Sequence, residues 1–115
     1  MKFATVVFAM TAMAQPLACN LNALTAAERK EHGALSRRVV AAFSAPESTR
    51  DGWAFSLPVE MLGDVAKWIE GERKCCPFLR FALVVEPGGK TARLTLSGRE
   101  GVKEFLAAEF QMKTF

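Results

Sequence analysis

A proline directly after two adjacent cysteines fixes one helix end in this chain of 115 residues. Pro77 disfavours the helical conformation of the residue before it, so a helix that reaches Cys75 and Cys76 must stop at these cysteines. Upstream of them, apolar residues recur at helical spacing, as at Leu62 and Val65. The sequence therefore predicts that both thiols lie at the C-terminal end of a helix, where the chain turns into the next strand.

The other segments with regular apolar spacing predict two more helices and three strands. Thr25 and Glu28 have the spacing of a capping box, which starts a first helix. Residues 53–57 alternate as a half-buried strand does, and residues 78–85 and 91–97 predict a β-hairpin. An amphipathic helix closes the chain.

This order of elements, α-β-α-β-β-α, predicts the fold class. A strand-helix-strand unit favours a right-handed crossover with parallel pairing, whereas the hairpin that follows pairs in the antiparallel sense. We therefore expect a two-layer α+β domain with a three-stranded mixed sheet and with the helices packed on one face.

The first residues predict export. Lys2 precedes an uncharged run, and Ala12-Met13-Ala14 supplies the small-x-small pattern of a signal peptidase site, so residues 1–14 are interpreted as a signal peptide. The run is too short for a membrane span, which needs about 20 apolar residues. We expect a periplasmic or secreted protein. Pro16-Leu17-Ala18-Cys19 resembles a lipobox in its last two positions before the cysteine, so a lipid anchor on Cys19 is the less favoured alternative.

Composition narrows the domain count and the partners. Half of the residues are hydrophobic and no repeat or low-complexity segment interrupts the chain, which predicts a single domain over residues 15–115. The net charge of +3 is too small to argue for nucleic acid or for an anionic membrane surface. The expected partner is a metal ion or an unknown small ligand.

Three cysteines are an odd number for an exported protein, in which thiols usually pair. Cys19 lies on an arm ahead of the first helix, and about six extended residues span roughly 20 Å. Contact between Cys19 and the pair Cys75 and Cys76 is therefore feasible, and the three thiols are treated as one candidate site.

Three kinds of chemistry fit these thiols. The favoured hypothesis is a soft-metal site in which Cys19, Cys75 and Cys76 hold Cu(I), Zn or Hg(II). The first alternative is a structural disulfide from Cys19 to Cys75 or Cys76 in a non-enzymatic binding or interaction module. The second is thiol-disulfide redox activity. With one histidine and no tyrosine, the chain offers little for hydrolytic triads, so an enzyme is the less favoured reading.

Two further side chains are candidate ligands. His32 can complete a Cys-Cys-Cys-His set, although the spacing fits no zinc-finger pattern and a histidine on a charged helix face is more often exposed. Glu72 precedes Cys76 by one helical turn and can accept a proton or a metal ion, although a surface glutamate is the more common case.

An early cysteine, a Glu-Arg-x-Cys-Cys-Pro-Phe segment at 72–78 and a Gly-x-Glu-Gly-Val-Lys-Glu-Phe ending at 98–105 occur together in this chain. In these features it resembles a family of small, uncharacterised bacterial proteins, and the resemblance covers nearly all of the chain after the signal peptide. Related domains accompany regulators of the mercury-resistance type. The resemblance implies that Cys19, Cys75 and Cys76 belong together, and it implies no particular activity.

Overall fold

A computed structural model describes residues 17–111. In this range the chain forms three α-helices, four β-strands and two short 3-10 helices, at Leu21–Ala23 and Val59–Met61. The helices are α1 (Ala26–Ala41), α2 (Leu62–Cys75) and α3 (Val102–Glu109), and the strands are β1 (Ser44–Ser48), β2 (Gly52–Pro58), β3 (Arg80–Val85) and β4 (Thr91–Ser97). The predicted signal peptide, residues 1–14, lies outside the described residues.

The four strands form one sheet in the order β1-β2-β4-β3, and every neighbouring pair is antiparallel. The prediction of a three-stranded mixed sheet with the order α-β-α-β-β-α is therefore wrong. The observed order is α-β-β-α-β-β-α. Strands β2 and β3, which α2 connects, do not pair because β4 lies between them.

The missed strand, β1, has no apolar signal in the sequence. All five of its residues are exposed, and Pro46 stands at its centre. Proline cannot donate a ladder hydrogen bond, so it is confined to edge strands or bulges. Here β1 is an edge strand, and its pairing with β2 shifts register between Ser44 and Glu47. Backbone pairing, and not the burial of an apolar face, defines this strand.

Strand β4 takes the centre of the sheet because its alternate residues are apolar and fully buried. Ala92, Leu94 and Leu96 are buried, and Leu94 and Leu96 stand opposite Phe55 and Trp53 of β2. On its other side β4 pairs with β3 from Arg80 to Val85. A strand with this pattern is well suited to lie between two neighbouring strands. Because β4 lies there, it separates β2 from β3, the two strands that α2 connects.

The helices and the sheet share one hydrophobic core. Each helix contributes a buried pair that packs with the apolar side chains of β2 and β4. These helix pairs are Leu35 and Val39 of α1, Val65 and Trp68 of α2, and Val102 and Leu106 of α3. In the range 17–111 no helix is both long enough and apolar enough to cross a membrane.

The start of α1 and the end of α2 lie where the sequence predicts them. The capping box is confirmed, since Glu28 N donates to Thr25 Oγ1 at 3.1 Å and Thr25 N donates to Glu28 Oε1 at 2.8 Å. The end of α2 is also confirmed, because Cys75 is its last residue and Cys76 has left the helical region. The two adjacent cysteines thus lie where a rigid helix meets the loop before β3.

Candidate functional site

The three cysteines come together at the end of α2. A disulfide joins Cys19 to Cys76, and Cys75 is a free, buried thiol. The Sγ atoms of Cys75 and Cys76 are 3.8 Å apart, and all three Sγ atoms lie within 4.8 Å of one another. The cluster that the sequence suggests is therefore present in space, with Cys76 and not Cys75 as the partner of Cys19.

The arm that carries Cys19 is held against the end of α2 by more than the disulfide. Asn20 N donates to Cys75 O at 2.7 Å, and the Asn20 side chain caps the 3-10 helix Leu21–Ala23 by accepting from Asn22 N. Leu24 is buried immediately before α1 begins. A short arm with its own local hydrogen bonds thus places Cys19 beside the other two thiols.

A partly buried carboxyl and a buried imidazole lie next to the thiols. Glu72 Oε2 is 2.7 Å from His32 Nε2, 4.0 Å from Cys75 Sγ, and the other oxygen is 3.8 Å from Cys76 Sγ. The side chains of His32 and Glu72 are only 9% and 14% exposed. Glu72 is about one helical turn before the cysteines, so its carboxyl lies on the same side of the end of α2 as Cys75, the last helical residue, and Cys76, the residue after it.

His32 reaches this position because α2 has a glycine where α1 crosses it. A Cβ on Gly71 would overlap the imidazole, so the ring lies directly on the glycine backbone. The expectation that His32 is exposed on a charged helix face is wrong. The sequence does hold a signal, since His32 precedes Leu35 by three residues and Val39 by seven, which places it on the buried stripe of α1.

Burial governs the proton affinities of these groups. Desolvation raises the pKa of Glu72, and the hydrogen bond from His32 and its charge oppose that rise in part. Desolvation also raises the pKa of the Cys75 thiol to about 11, with the Glu72 charge adding to it. Cys75 is therefore protonated at neutral pH. Activated nucleophilic cysteines have lowered pKa values, so this environment opposes thiol-disulfide exchange by Cys75 in the disulfide form.

A cleft of about 900 Å³ opens beside these groups, between α1, the end of α2 and α3. Its lining includes His32, Glu72 and Cys75, and it is otherwise mostly apolar. The apolar part comes from all three helices and from the loop before β3, and includes Val40, Trp68, Leu79, Phe105 and Phe110. Thiol, carboxyl and imidazole thus line one open cleft.

Two sets of three side chains have donor atoms close enough together to bind one metal ion, and the two sets share Cys75. One is Cys19, Cys75 and Cys76, and the other is His32, Glu72 and Cys75; in each set the donor atoms lie within 4.8 Å of one another. Zn–S bonds of about 2.3 Å in a tetrahedral site separate two sulfurs by about 3.8 Å. The distance between Cys75 Sγ and Cys76 Sγ is 3.8 Å. These two sulfurs therefore already have the spacing of two ligands on one ion.

Comparisons of the chain with protein families, with curated proteins and with solved structures gave no match. The resemblance drawn from the cysteine and glycine motifs stays a prediction.

Proposed function

We propose that this chain is an exported protein that binds one thiophilic metal ion through Cys19, Cys75 and Cys76 when the bond between Cys19 and Cys76 is reduced. The observation that carries the proposal is the convergence of all three Sγ atoms within 4.8 Å. Reduction by a dithiol delivers two electrons and two protons, breaks the disulfide and leaves three thiols at the end of α2. Binding of the ion then releases thiol protons.

The burial of Cys75 disfavours a free thiolate and favours a thiolate that is bound to a cation. In the absence of a positive charge, burial and Glu72 keep the pKa of Cys75 at about 11. A metal ion supplies the positive charge that this environment lacks, and a coordinating thiol is deprotonated outright. Cys75 is therefore neutral while the site is empty and loses its proton when an ion binds.

The ligand set selects the class of ion. Three sulfurs favour soft or borderline ions, such as Cu(I), Zn²⁺ or Hg(II), over Mg²⁺ and Ca²⁺. The disulfide acts as a control on this site, because oxidation removes two of the three thiolates at once. The sequence predicts export to an oxidising compartment. There the disulfide would form readily and would switch the three-cysteine site off.

The test is anaerobic titration of the reduced protein with Zn²⁺ and Cu(I). We expect one ion per chain and the loss of all three titratable thiols. We expect Cys75→Ser to weaken uptake more than about tenfold, because it removes the sulfur common to both donor sets. The matched control is Lys74→Gln, since the Lys74 side chain is more than half exposed and pairs with Glu28 on the surface. Three freely alkylated thiols in the presence of excess metal would refute the proposal.

The disulfide itself supports a second candidate, a binding module that the bond merely stabilises. The bond between Cys19 and Cys76 spans 57 residues, and Cys75 is a buried protonated thiol. The measurement that separates the two candidates is the intact mass of native protein, with alkylation before and after reduction and metal analysis of the same sample. One disulfide, one inert thiol and no metal uptake after reduction would favour the structural role.

A further inference from the structure

We infer that, with the disulfide between Cys19 and Cys76 intact, His32, Glu72 and Cys75 form a second cation site for a borderline divalent ion such as Zn²⁺. This site has one nitrogen, one oxygen and one sulfur donor. It shares Cys75 with the three-cysteine site but needs no reduction, so it stands independently of the function proposed above. The redox state of one bond would then decide which of two donor sets the protein presents.

Two of the three donor pairs already lie close to the separations of a zinc site, and the third, His32 to Cys75, lies within 4.8 Å. With Zn–N and Zn–O bonds of about 2.05 Å, tetrahedral geometry separates nitrogen from oxygen by about 3.3 Å, and oxygen from sulfur by about 3.5 Å. The observed distances are 2.7 Å between His32 Nε2 and Glu72 Oε2 and 4.0 Å between Glu72 Oε2 and Cys75 Sγ. Side-chain shifts of well under 1 Å bring both pairs to these values, and the ion takes the place of the hydrogen between His32 and Glu72.

The donors are placed by helix packing and not by the disulfide. Glu72 and Cys75 are three residues apart on α2, and His32 is held on α1 by its contact with the Gly71 backbone. One turn along the same helix pair, Trp68 Nε1 donates to Ser36 Oγ at 3.0 Å. Sites on rigid elements hold their geometry better than sites on loops. The mixed donor set therefore persists whatever the state of Cys19 and Cys76.

The three donors leave room for a ligand from outside. Zinc sites that exchange ligands use three protein donors and keep the fourth position open, whereas structural sites close all four. His32, Glu72 and Cys75 all line the cleft of about 900 Å³. An ion bound to them would face this space, so water or a small ligand can complete its coordination.

The test uses Co²⁺ as a spectroscopic substitute for Zn²⁺, added to the oxidised wild-type protein. We expect one ion per chain and a thiolate-to-cobalt charge-transfer band of the intensity of a single sulfur. His32→Gln and Glu72→Gln should each weaken binding more than about tenfold. The matched control is Glu70→Gln, the same change on the exposed side of α2, which should bind as wild type does.

A double variant separates this inference from the proposed function. Cys19→Ser with Cys76→Ser removes the three-cysteine site and leaves His32, Glu72 and Cys75 in place. We expect it to keep the single-sulfur band. If it binds Co²⁺ while reduced wild-type protein never shows a three-sulfur band, only the proposed function fails. If reduced wild type shows three sulfurs and the double variant shows none, only the mixed site fails.

A measurement on the wild type alone covers the case in which a variant does not fold. His32 is the only histidine of the chain, so its ring nitrogens are unambiguous in a nitrogen-15 spectrum. Addition of Zn²⁺ to the oxidised protein should shift one of the two ring nitrogens by the change typical of metal ligation. Unchanged His32 nitrogens in the presence of excess Zn²⁺ would overturn the inference.

Discussion

Cys75 combines a free thiol with an environment that suppresses its reactivity. Its pKa is raised to about 11, chiefly by burial and then by the charge of Glu72. Alkylating reagents attack the thiolate, so reactivity follows the deprotonated fraction.

We predict that iodoacetamide modifies Cys75 of the folded, oxidised protein about a hundredfold more slowly at pH 7 than it modifies the same thiol in unfolded chains. The rate should rise about tenfold per pH unit up to a pH near 11. Timed alkylation followed by peptide mass analysis measures both quantities. A rate that levels off between pH 8 and 9 would show that the thiol is in an ordinary environment.

Glu72 predicts a pH dependence of stability. Its pKa is raised above 4.5, the value for an unperturbed glutamate, so the folded state favours the protonated form. Its stabilising contribution is then fully present at low pH and is lost as the pH rises through the folded-state value. We expect the free energy of unfolding of wild type, relative to Glu72→Gln, to fall as the pH rises above 4.5. Urea unfolding at a series of pH values measures this difference, and a rise instead of a fall would contradict the assignment.

At the scale of elements, the crossing of α1 and α2 depends on one glycine. A side chain at Gly71 would overlap the His32 ring, whereas a Cβ at Gly63 of the same helix meets nothing within 4 Å. The two positions are therefore a matched pair for one substitution.

We predict that Gly71→Ala lowers the free energy of unfolding by about 1–3 kcal/mol, because it forces His32 and the helix pair apart. Gly63→Ala should be neutral or stabilising by up to about 1 kcal/mol, because alanine has the higher helix propensity. Chemical denaturation of the two variants beside wild type is the measurement. Equal effects at the two positions would mean that the contact between Gly71 and His32 does not set the helix crossing.

The sequence predicts most elements of this fold and misses their arrangement. Apolar periodicity finds the helices and the three strands that carry an apolar face, β2, β3 and β4, and the residue types at Thr25 and Glu28 find the capping box. It cannot find β1, whose residues are all exposed and whose pairing is made by the backbone. Nor can it show that β4 lies between β2 and β3. The order of strands in a sheet depends on long-range pairing, which the spacing of apolar residues within one strand does not reveal.

In the candidate site, too, local features of the sequence predict one part and long-range contacts determine the rest. Pro77 and the reach of the arm predict that Cys19 meets the other two cysteines, since both arguments are local. The pairing of Cys19 with Cys76 instead of Cys75 depends on how the chain leaves α2, which only the folded backbone shows. The burial of His32 depends on a glycine in another helix. Contacts of that kind link residues 39 positions apart and leave no periodic signal.

For the whole molecule, the disulfide is a covalent constraint between two distant parts of the chain. It ties the arm before α1 to the end of α2 across 57 residues. On the chain-entropy account a loop of this length stabilises the fold by about 4 kcal/mol.

We predict that Cys19→Ser lowers the free energy of unfolding of the oxidised protein by up to about 4 kcal/mol. Cys75→Ser leaves the disulfide intact and should cost less, because it changes one buried sulfur to oxygen beside Glu72. Thermal and urea unfolding of the two variants under oxidising conditions compare them directly. A larger loss for Cys75→Ser would mean that packing at the thiol outweighs the covalent closure.

Because Asn20 N donates a hydrogen bond to Cys75 O, we expect opening of the disulfide between Cys19 and Cys76 to be a local event. When the disulfide is reduced, we expect that contact and the capped 3-10 helix after it to hold the arm in place, so that Cys19 stays near Cys76. Its effective concentration beside Cys76 then stays far above that of any thiol in solution, since the second encounter is intramolecular. After reduction by an outside dithiol, we therefore expect an outside disulfide to restore the bond quickly, because the second thiol attacks the mixed disulfide intramolecularly and releases the outside thiol.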